Sequence, residues 1–281
     1  MMFDLDSPPL YRLGRPPLMK AIGQVSFPFI SNITDLRSIE GFKAAVEEKF
    51  PYMHQLSSQQ VSVALDPLGS SSVQSNKFDG WLFSDDSDWA LQVFPNSATI
   101  SVGSQYFEFD NFQQRFSKVM DALSTELHIK RIDRIALRYI NVVEIPQSEP
   151  SVWKAWFKPE IIGWIGSDIV NNETLIEASI TQTMLIYSMN NQNDYYAPDV
   201  NSVLRHGLIP ANTIIPGLDS KLLKENKGFL IDIDSYINSP QAFDAQELTH
   251  QISKLHSVID KFFFWILTDE GAKYFERLIL K

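Results

Sequence analysis

The sequence predicts an α+β fold in which curved antiparallel sheets carry long helices packed on one side, an arrangement of the helix-grip or saddle type. Two observations predict it. Short apolar segments of strand character are separated by turn-like stretches of a few residues, which is typical of antiparallel hairpins. Three longer segments repeat apolar residues at helical spacing, and the βαβα order of a doubly wound sheet is absent.

Residues 1–19 are expected to form a proline-rich arm, followed by a first α+β half over 20–128. The first helix of this half is expected to begin with Thr34 as its cap and to end before Pro51. The second helix is expected to begin at Asp110, with Gln113 in capping-box position. The strands are predicted by period-two alternation over 21–29, 59–65, 72–83, 89–94 and 97–103.

Residues 129–281 are expected to form a second half in a similar order, and a duplication into two similar halves is left open. A long polar loop is predicted over 190–227, with NNQNDYYAPD (190–199) as either a contact surface or an insertion. A short helix is expected over 151–157, and the strands over 131–145, 173–182, 183–189 and 227–234. The closing helix begins near Asp244, with Glu247 as its box partner. Its near-heptad apolar stripe favours core packing, with a homodimer seam as the alternative.

Composition excludes several classes of protein. The formal net charge of −10 and the pI near 5.0 argue against nucleic acid or an anionic membrane surface as the partner. The absence of cysteine excludes disulfides, thiolate catalysis and cysteine-based metal sites. The amino-terminal segment has no signal-peptide pattern, and the longest uninterrupted apolar run near the C-terminus, FFFWIL, has six residues, so we expect a cytoplasmic protein.

Sequence motifs for catalysis are also missing. There is no glycine-rich nucleotide motif, no nucleophile elbow, and no pair of histidines at zinc-ligand spacing. The acidic cluster at 84–88 lacks the glycine and distal glutamate of a calcium loop and is predicted to be a solvated hairpin tip. We therefore predict no catalytic residue, no cofactor and no metal, and we lean towards a protein that is not an enzyme.

The stretch RIDRIALRYIN (131–141) concentrates the remaining chemistry. Strand alternation places Arg134 and Arg138 on one face, and the same rule places Asp232 and Asp234 on one face of the strand near 230. Cross-strand pairing of these arginines and aspartates is the favoured interpretation. The alternatives are an anion-binding groove, simple solvent exposure and, least favoured, a carboxylate catalytic or metal site.

Two segments carry a resemblance to a known family. PPLMKAIGQVSFPF near the N-terminus and RIDRIALRYINVVEI in mid-chain, with an aromatic closing helix after LIDID, resemble a sporadically distributed, uncharacterised prokaryotic protein family. That family has a "PPL…F" opening and an "RxGLRYxN" core signature. Arg138, Tyr139 and Asn141 stand at signature positions, and Ala136 stands where the family has glycine. The family's patchy distribution implies an anti-phage defence or toxin–antitoxin neighbourhood.

These observations predict a non-enzymatic protein-binding or regulatory module whose partner is another protein encoded nearby. The alternative is a small-anion or nucleotide sensor, or an enzyme, with a groove lined by Arg134, Arg138, Asp232 and Asp234. Tyr139 and Asn141 complete the set of candidate ligand-binding residues. A homodimer is left open, and neither a membrane nor a nucleic acid is expected as partner.

Overall fold

The computed structural model describes residues 11–65, 71–145, 152–166, 178–187, 199–218 and 226–279. The six helices in these ranges are α1 (Leu36–Val46), α2 (Phe109–Thr125), α3 (Trp153–Trp156), α4 (Pro159–Ile162), α5 (Ala245–Ile266) and α6 (Asp269–Tyr274). The strands in the same ranges are β1 (Tyr11–Leu13), β2 (Leu18–Ser26), β3 (Tyr52–Leu65), β4 (Ser71–Ser84), β5 (Ala90–Phe94), β6 (Ser97–Val102), β7 (Arg131–Ile132), β8 (Arg134–Glu144), β9 (Ser179–Tyr187), β10 (Val200–Ile209), β11 (Gly228–Ile237), β12 (Gln241–Ala242) and β13 (Arg277–Ile279).

A large antiparallel sheet dominates the described ranges. Its nine strands lie in the order β3-β4-β5-β6-β2-β8-β11-β10-β9. Two short ribbons, β1 with β13 and β12 with β7, stand apart from it. The mixed α and β composition with antiparallel strands confirms the fold class at this coarse level.

The chain divides into two compact units. Unit I comprises Ile22–Ile135 and Asn238–Ile252, and unit II comprises Met1–Ala21, Ala136–Ile237 and Ser253–Lys281. Each unit is therefore assembled from stretches that are distant in the sequence. The candidate site described below lies in unit II.

In unit I, the apolar stripes of α1 and α2 and the inner faces of the strands form a buried core. The ring of Phe42 on α1 meets Phe83 on β4 edge to face at 5.5 Å between centroids. The indole nitrogen of Trp81 donates a hydrogen bond of 2.7 Å to the carbonyl of Ile33, which satisfies both buried groups. Other residues buried here include Phe50, Leu91, Ile100, Phe112, Phe116, Met120 and Leu123.

The acidic hairpin tip between β4 and β5 is tied to this core through Arg115 on α2. The guanidinium of Arg115 contacts the carboxylate of Asp85 at 3.2 Å and lies 4.4 Å from the ring of Trp89. Asp85 also accepts hydrogen bonds from the backbone of Ser87 and Trp89, and its side chain is only 13% exposed. The predicted hairpin tip is present, but Asp85 is a half-buried acid paired with Arg115 rather than a solvated one.

In unit II, aromatic rings join α3, α6 and β11. Trp156 stacks on Tyr274 at 4.1 Å, and Phe157 stacks on Phe229 at 4.5 Å. Thr268 caps α6 by accepting from the amide of Gly271, and its hydroxyl donates to the carbonyl of Ala155. The arm is part of this unit over its described residues, because β1 pairs with β13 and the carbonyl of Pro17 accepts from Val142.

The strands beyond residue 170 differ from the prediction. The stretch 179–187 is one continuous strand, so the separation expected at 182–183 is wrong. Strand β10 lies inside the polar range that was predicted to be a loop over 190–227. Buried and partly exposed residues alternate strictly from Val200 to His206. Some of the buried positions are polar, so the sequence shows no clear alternation of apolar residues there. Residues 188–198, with most of the predicted NNQNDYYAPD contact segment, lie outside the described residues, as do 1–10 of the arm.

The helix starts were predicted with mixed success. Asp244 caps α5 as expected, because its carboxylate accepts from the amides of Gln246 and Glu247. The cap of α1 is Asp35 rather than Thr34, whose hydroxyl instead donates to the carbonyl of Ser31. Asp110 lies within the first turn of α2, where its charge favours the helix dipole without capping it. The stripe of α5 is buried within the chain, as core packing requires, at Leu248, Ile252, Leu255, Ile259, Phe262 and Ile266.

We expect Gly207→Ala to destabilise unit II strongly. Gly207 has φ of +142°, and a Cβ there would lie 1.7 Å from the carbonyl oxygen of Ser179 on β9. Since neither backbone can retreat without breaking the β9–β10 pairing, the free energy of unfolding should fall by about 3 kcal/mol or more. Urea denaturation measures the loss.

Gly163→Ala is the control for backbone strain alone. Gly163 has φ of +56°, and nothing lies within 4 Å of its added Cβ. With ψ of −143°, the backbone lies in a region that other residues rarely adopt, so conformational strain alone is penalised, by about 2 kcal/mol. Equal losses in the two variants would contradict the close approach of β9 to Gly207.

Candidate functional site

A row of polar side chains crosses four neighbouring strands of unit II on one face. It runs from Arg138 on β8 through Asp232 on β11 and Arg205 on β10 to Gln182 on β9, and we call it the arginine–aspartate row. The register places Arg205 directly opposite both Asp232 and Gln182. Period-two alternation then keeps the four side chains on the same face of the sheet.

The row is joined by charge-assisted hydrogen bonds. Arg138 forms a bidentate fork on Asp232, with Nε to Oδ1 at 2.7 Å and Nη2 to Oδ2 at 2.8 Å. Arg205 donates from Nη1 to the same Oδ2 at 3.3 Å and from Nε to Oε1 of Gln182 at 2.9 Å. Two arginines thus share one carboxylate, which is the planar geometry that guanidinium groups favour.

Burial within the row falls from its centre towards β9. The side chain of Asp232 is 2% exposed, that of Arg138 is 21% exposed and that of Arg205 is 35% exposed. Burial alone would lower the pKa of Arg138. The hydrogen bond and charge of Asp232, helped by the charge of Asp234, raise that pKa above its ordinary value. Arg138 is therefore a permanent cation that neutralises a buried carboxylate.

The charges on this face balance locally. Asp234 lies two residues from Asp232 on the same face of β11, and its charge acts on Arg138. Two arginines and two aspartates leave no net positive charge at the row. An anionic ligand would have to displace Asp232 from its fork, so the arrangement favours structural pairing over an anion-binding groove.

The other candidate residues make contacts outside the row. Arg134 lies in unit I, where its Nη1 donates to Oε1 of Gln24 at 3.1 Å. Asn141 is 4% exposed and faces the core, where its amide donates to the carbonyl of Ile231. Asn141 therefore satisfies a buried backbone group rather than presenting an amide to a ligand.

Tyr139 belongs to a second cluster, on the opposite face of β8 from Arg138. Its hydroxyl lies 3.1 Å from Nδ1 of His256 on α5, and Nε2 of His256 lies 3.3 Å from a carboxylate oxygen of Asp260. Tyr139 is 6% exposed, while the side chains of His256 and Asp260 are 20% and 26% exposed. The three residues form a chain of polar contacts between β8 and α5, which we call the tyrosine–histidine–aspartate chain.

Burial favours the neutral form of both titratable groups in that chain. Desolvation lowers the pKa of His256 to about 3 and raises the pKa of Asp260 to about 7. A protonated Asp260 would donate to Nε2 of His256, whereas an ionised Asp260 would accept from Nε2–H. Which of Tyr139 and Nδ1 donates follows from the tautomer of His256.

An apolar strip flanks the arginine–aspartate row on β9. Ile180, Met184 and Ile186 share the face of Gln182, because every second side chain of a strand points the same way. Their side chains are 56%, 56% and 65% exposed. We call Ile180, Gln182, Met184 and Ile186 the β9 face; it lies beside Arg205.

Four residues of these clusters were not predicted from sequence: Arg205, Gln182, His256 and Asp260. The spacing of His256 and Asp260 at i and i+4 was a readable signal on a predicted helix. Arg205 carried a weaker signal, the alternation of 200–206.

Comparison with known proteins found no family model that matches the chain and no curated protein similar to it. The resemblance drawn from the two sequence segments stays a prediction. In the described ranges, no group of three histidine, aspartate or glutamate residues could hold a metal ion. No helix in those ranges combines the length and apolar character needed to cross a membrane.

We expect Asp232→Asn to lower the free energy of unfolding by about 3 kcal/mol. The substitution keeps the shape of the side chain but removes the carboxylate that forms the bidentate fork with the largely buried Arg138. Denaturant unfolding measures the loss.

Asp133→Asn is the matched control for the loss of an ion pair. Its partner Arg131 is 57% exposed, and Asp133 itself is 42% exposed. Solvent screening limits the loss at an exposed pair to less than about 1 kcal/mol. If Asp232→Asn cost no more than this control, the row would not stabilise unit II.

We expect Asp260→Asn and His256→Asn to give opposite changes in the pH dependence of stability. In the wild-type chain the two shifts oppose one another, because the folded pair keeps its proton on Asp260 while the unfolded chain keeps it on the histidine. Asp260→Asn leaves a histidine of lowered pKa, whose contribution is present above pH 6.5 and is lost as the pH falls towards 3. His256→Asn leaves an aspartate of raised pKa, whose contribution is present below pH 3.8 and is lost as the pH rises towards 7.

Equilibrium unfolding between about pH 4 and pH 6.5 tests this, with a limiting slope of about 1.4 kcal/mol per pH unit. The residual exposure of both side chains keeps the measured slope below that limit. If the free energy of unfolding changed with pH in the same direction in both variants, the conclusion that burial keeps His256 and Asp260 uncharged would be contradicted.

Proposed function

We propose that this chain is a non-enzymatic protein-binding module and that a partner protein docks on the β9 face beside Arg205. One observation carries the proposal: three large apolar side chains, each more than half exposed, lie in a row on one uncharged strand. Contiguous exposed apolar surface edged by polar groups is typical of protein interfaces.

The spacing of these side chains supports docking rather than chance exposure. Met184 and Ile186 are adjacent on the face, and Ile180 follows on the other side of Gln182. Isolated apolar side chains on a surface need no explanation, whereas a strip with a polar neighbour on the next strand does.

The arginine–aspartate row supports the same function by fixing the surface. It ties β8, β11, β10 and β9 together in one register, so the β9 face is held in place before a partner arrives. A preorganised surface loses less conformational entropy on binding. The balanced charges of the row favour a protein partner over an anionic ligand.

The chemistry of the face defines the partner. The partner surface should be apolar where it covers Ile180, Met184 and Ile186. At the edge of the contact it should carry a carboxylate or amide that accepts from Arg205, which is 35% exposed. The family resemblance adds that such a partner is encoded nearby, in a defence or toxin–antitoxin neighbourhood. The helix-grip architecture with two similar halves is part of this proposal, and in unit II α5 contacts the Tyr139 face of β8, opposite the row.

We expect Met184→Glu to weaken the complex with the product of the adjacent gene at least tenfold, since it buries a carboxylate in an apolar contact. Isothermal titration of the two purified proteins measures the dissociation constant. Ile214→Glu is the matched control, because Ile214 is 73% exposed in the same unit but lies outside the β9 face.

Equal affinities for wild type and Met184→Glu would overturn the proposed surface, as would an equal loss in Ile214→Glu. If inorganic phosphate or a nucleotide raised the melting temperature of the wild type and not of Arg138→Ala, the anion-sensor alternative would replace the proposal.

A further inference from the structure

Strand β9 stands at the end of the sheet. Over its nine residues it pairs with β10 on one side, from Ser179 opposite Leu208 to Tyr187 opposite Val200. Among the strands that the structure describes, none follows β9 in the order. Within the described part of the chain, the outward edge of β9 therefore has backbone donors and acceptors that no strand pairs with.

This edge lacks the protection that natural edge strands carry. The sequence SITQTMLIY contains no lysine, no other charge, no proline and no glycine. Edge strands of soluble proteins are normally short, charged, bulged or interrupted by proline to prevent pairing with another chain. A long edge without any of these devices is suited to pairing.

The strand is also complementary to itself. In antiparallel pairing centred on Thr183, Ile180 falls opposite Ile186 of the second copy, and Gln182 falls opposite Met184. Thr181 falls opposite Leu185, and Thr183 lies beside its own copy. Every pair joins uncharged, mostly β-branched or apolar residues, which are the cross-strand pairs that stabilise sheets.

We infer that β9 pairs with β9 of a second copy of this chain, antiparallel about a two-fold axis at Thr183. The inference goes beyond the proposed function, because it uses the backbone edge of β9 rather than its face. The two β9 faces become continuous across the axis and double the surface offered to a partner.

Charge and symmetry favour a second copy as the occupant of this edge. Two chains of net charge −10 repel one another, so they approach best at a segment that carries no charge. A two-fold dimer contact requires a surface that is complementary to itself. Antiparallel pairing of β9 about Thr183 meets this requirement, because each residue then lies opposite an uncharged residue of the second copy. An interface of one strand pair is small, so the dimer dissociates on dilution and strengthens as salt screens the repulsion.

The test is sedimentation velocity of the full chain from about 1 μM to about 300 μM, the range in which a small interface associates. Wild type and Thr183→Val should both dimerise with rising concentration. Thr183→Lys and Thr183→Glu should each weaken the dimer at least tenfold, because like charges meet at the axis. An equimolar mixture of these two charged variants should recover a dimer that contains one copy of each.

A wild type that stays monomeric throughout, charged variants that dimerise like Thr183→Val, or a mixture no more dimeric than its components would each overturn the inference. The side chain of Thr183 points away from the β9 face, so its variants leave the proposed partner surface unchanged. A wild type that stays monomeric yet binds the partner through the β9 face would overturn the dimer alone, whereas a wild type that dimerises but whose partner binding is insensitive to Met184→Glu would overturn the proposed function alone.

Discussion

Unit II depends on the neutralisation of one buried carboxylate. Asp232 is almost fully removed from solvent, and an isolated charge in that position would be prohibitively unfavourable. The fork of Arg138 and the second contact from Arg205 make it tolerable only in one register of β8, β11 and β10. A slip of one residue in any of these strands would turn a charged side chain towards the core and an apolar one towards solvent. The direction in which the side chains of β9 point follows from that register.

Local alternation made half of the row predictable. In β8 and β11 the apolar residues are frequent enough to show period two, so the pairing of Arg138 with Asp232 followed from faces alone. The same argument places Arg134 on that face, and its grouping with these residues stays a prediction. Arg134 follows the break at Asp133 between β7 and β8, and one of its hydrogen bonds is donated to Gln24 in unit I. The alternation of residues along a strand predicts the face of the sheet to which a side chain points, but it does not predict which neighbouring strand the side chain contacts.

The remaining functional residues were hidden because their partners are far apart in the sequence. Arg205 lies in a polar stretch whose strand character comes from pairing on both sides, with β11 and β9, rather than from its own propensity. The sequence analysis considered the histidines only as pairs at zinc-ligand spacing, whereas the contacts of His256 include Asp260 one turn on and Tyr139 on a distant strand. The α+β class and most elements could be predicted from composition and period, while the clusters required the tertiary pairing of strands.

The pairing of β1 with β13 has a consequence for the order in which the chain can complete its structure during synthesis. Tyr11 pairs with Ile279, so β1 meets its partner only after all the sequence between them has been synthesised. At about 5–20 residues per second, the wait lasts roughly 15–50 s. Unit I also waits, because its segment Asn238–Ile252 comes late in the chain. Neither unit can close early, so the uncharged strand β9 is synthesised and exposed before the structure around it is complete.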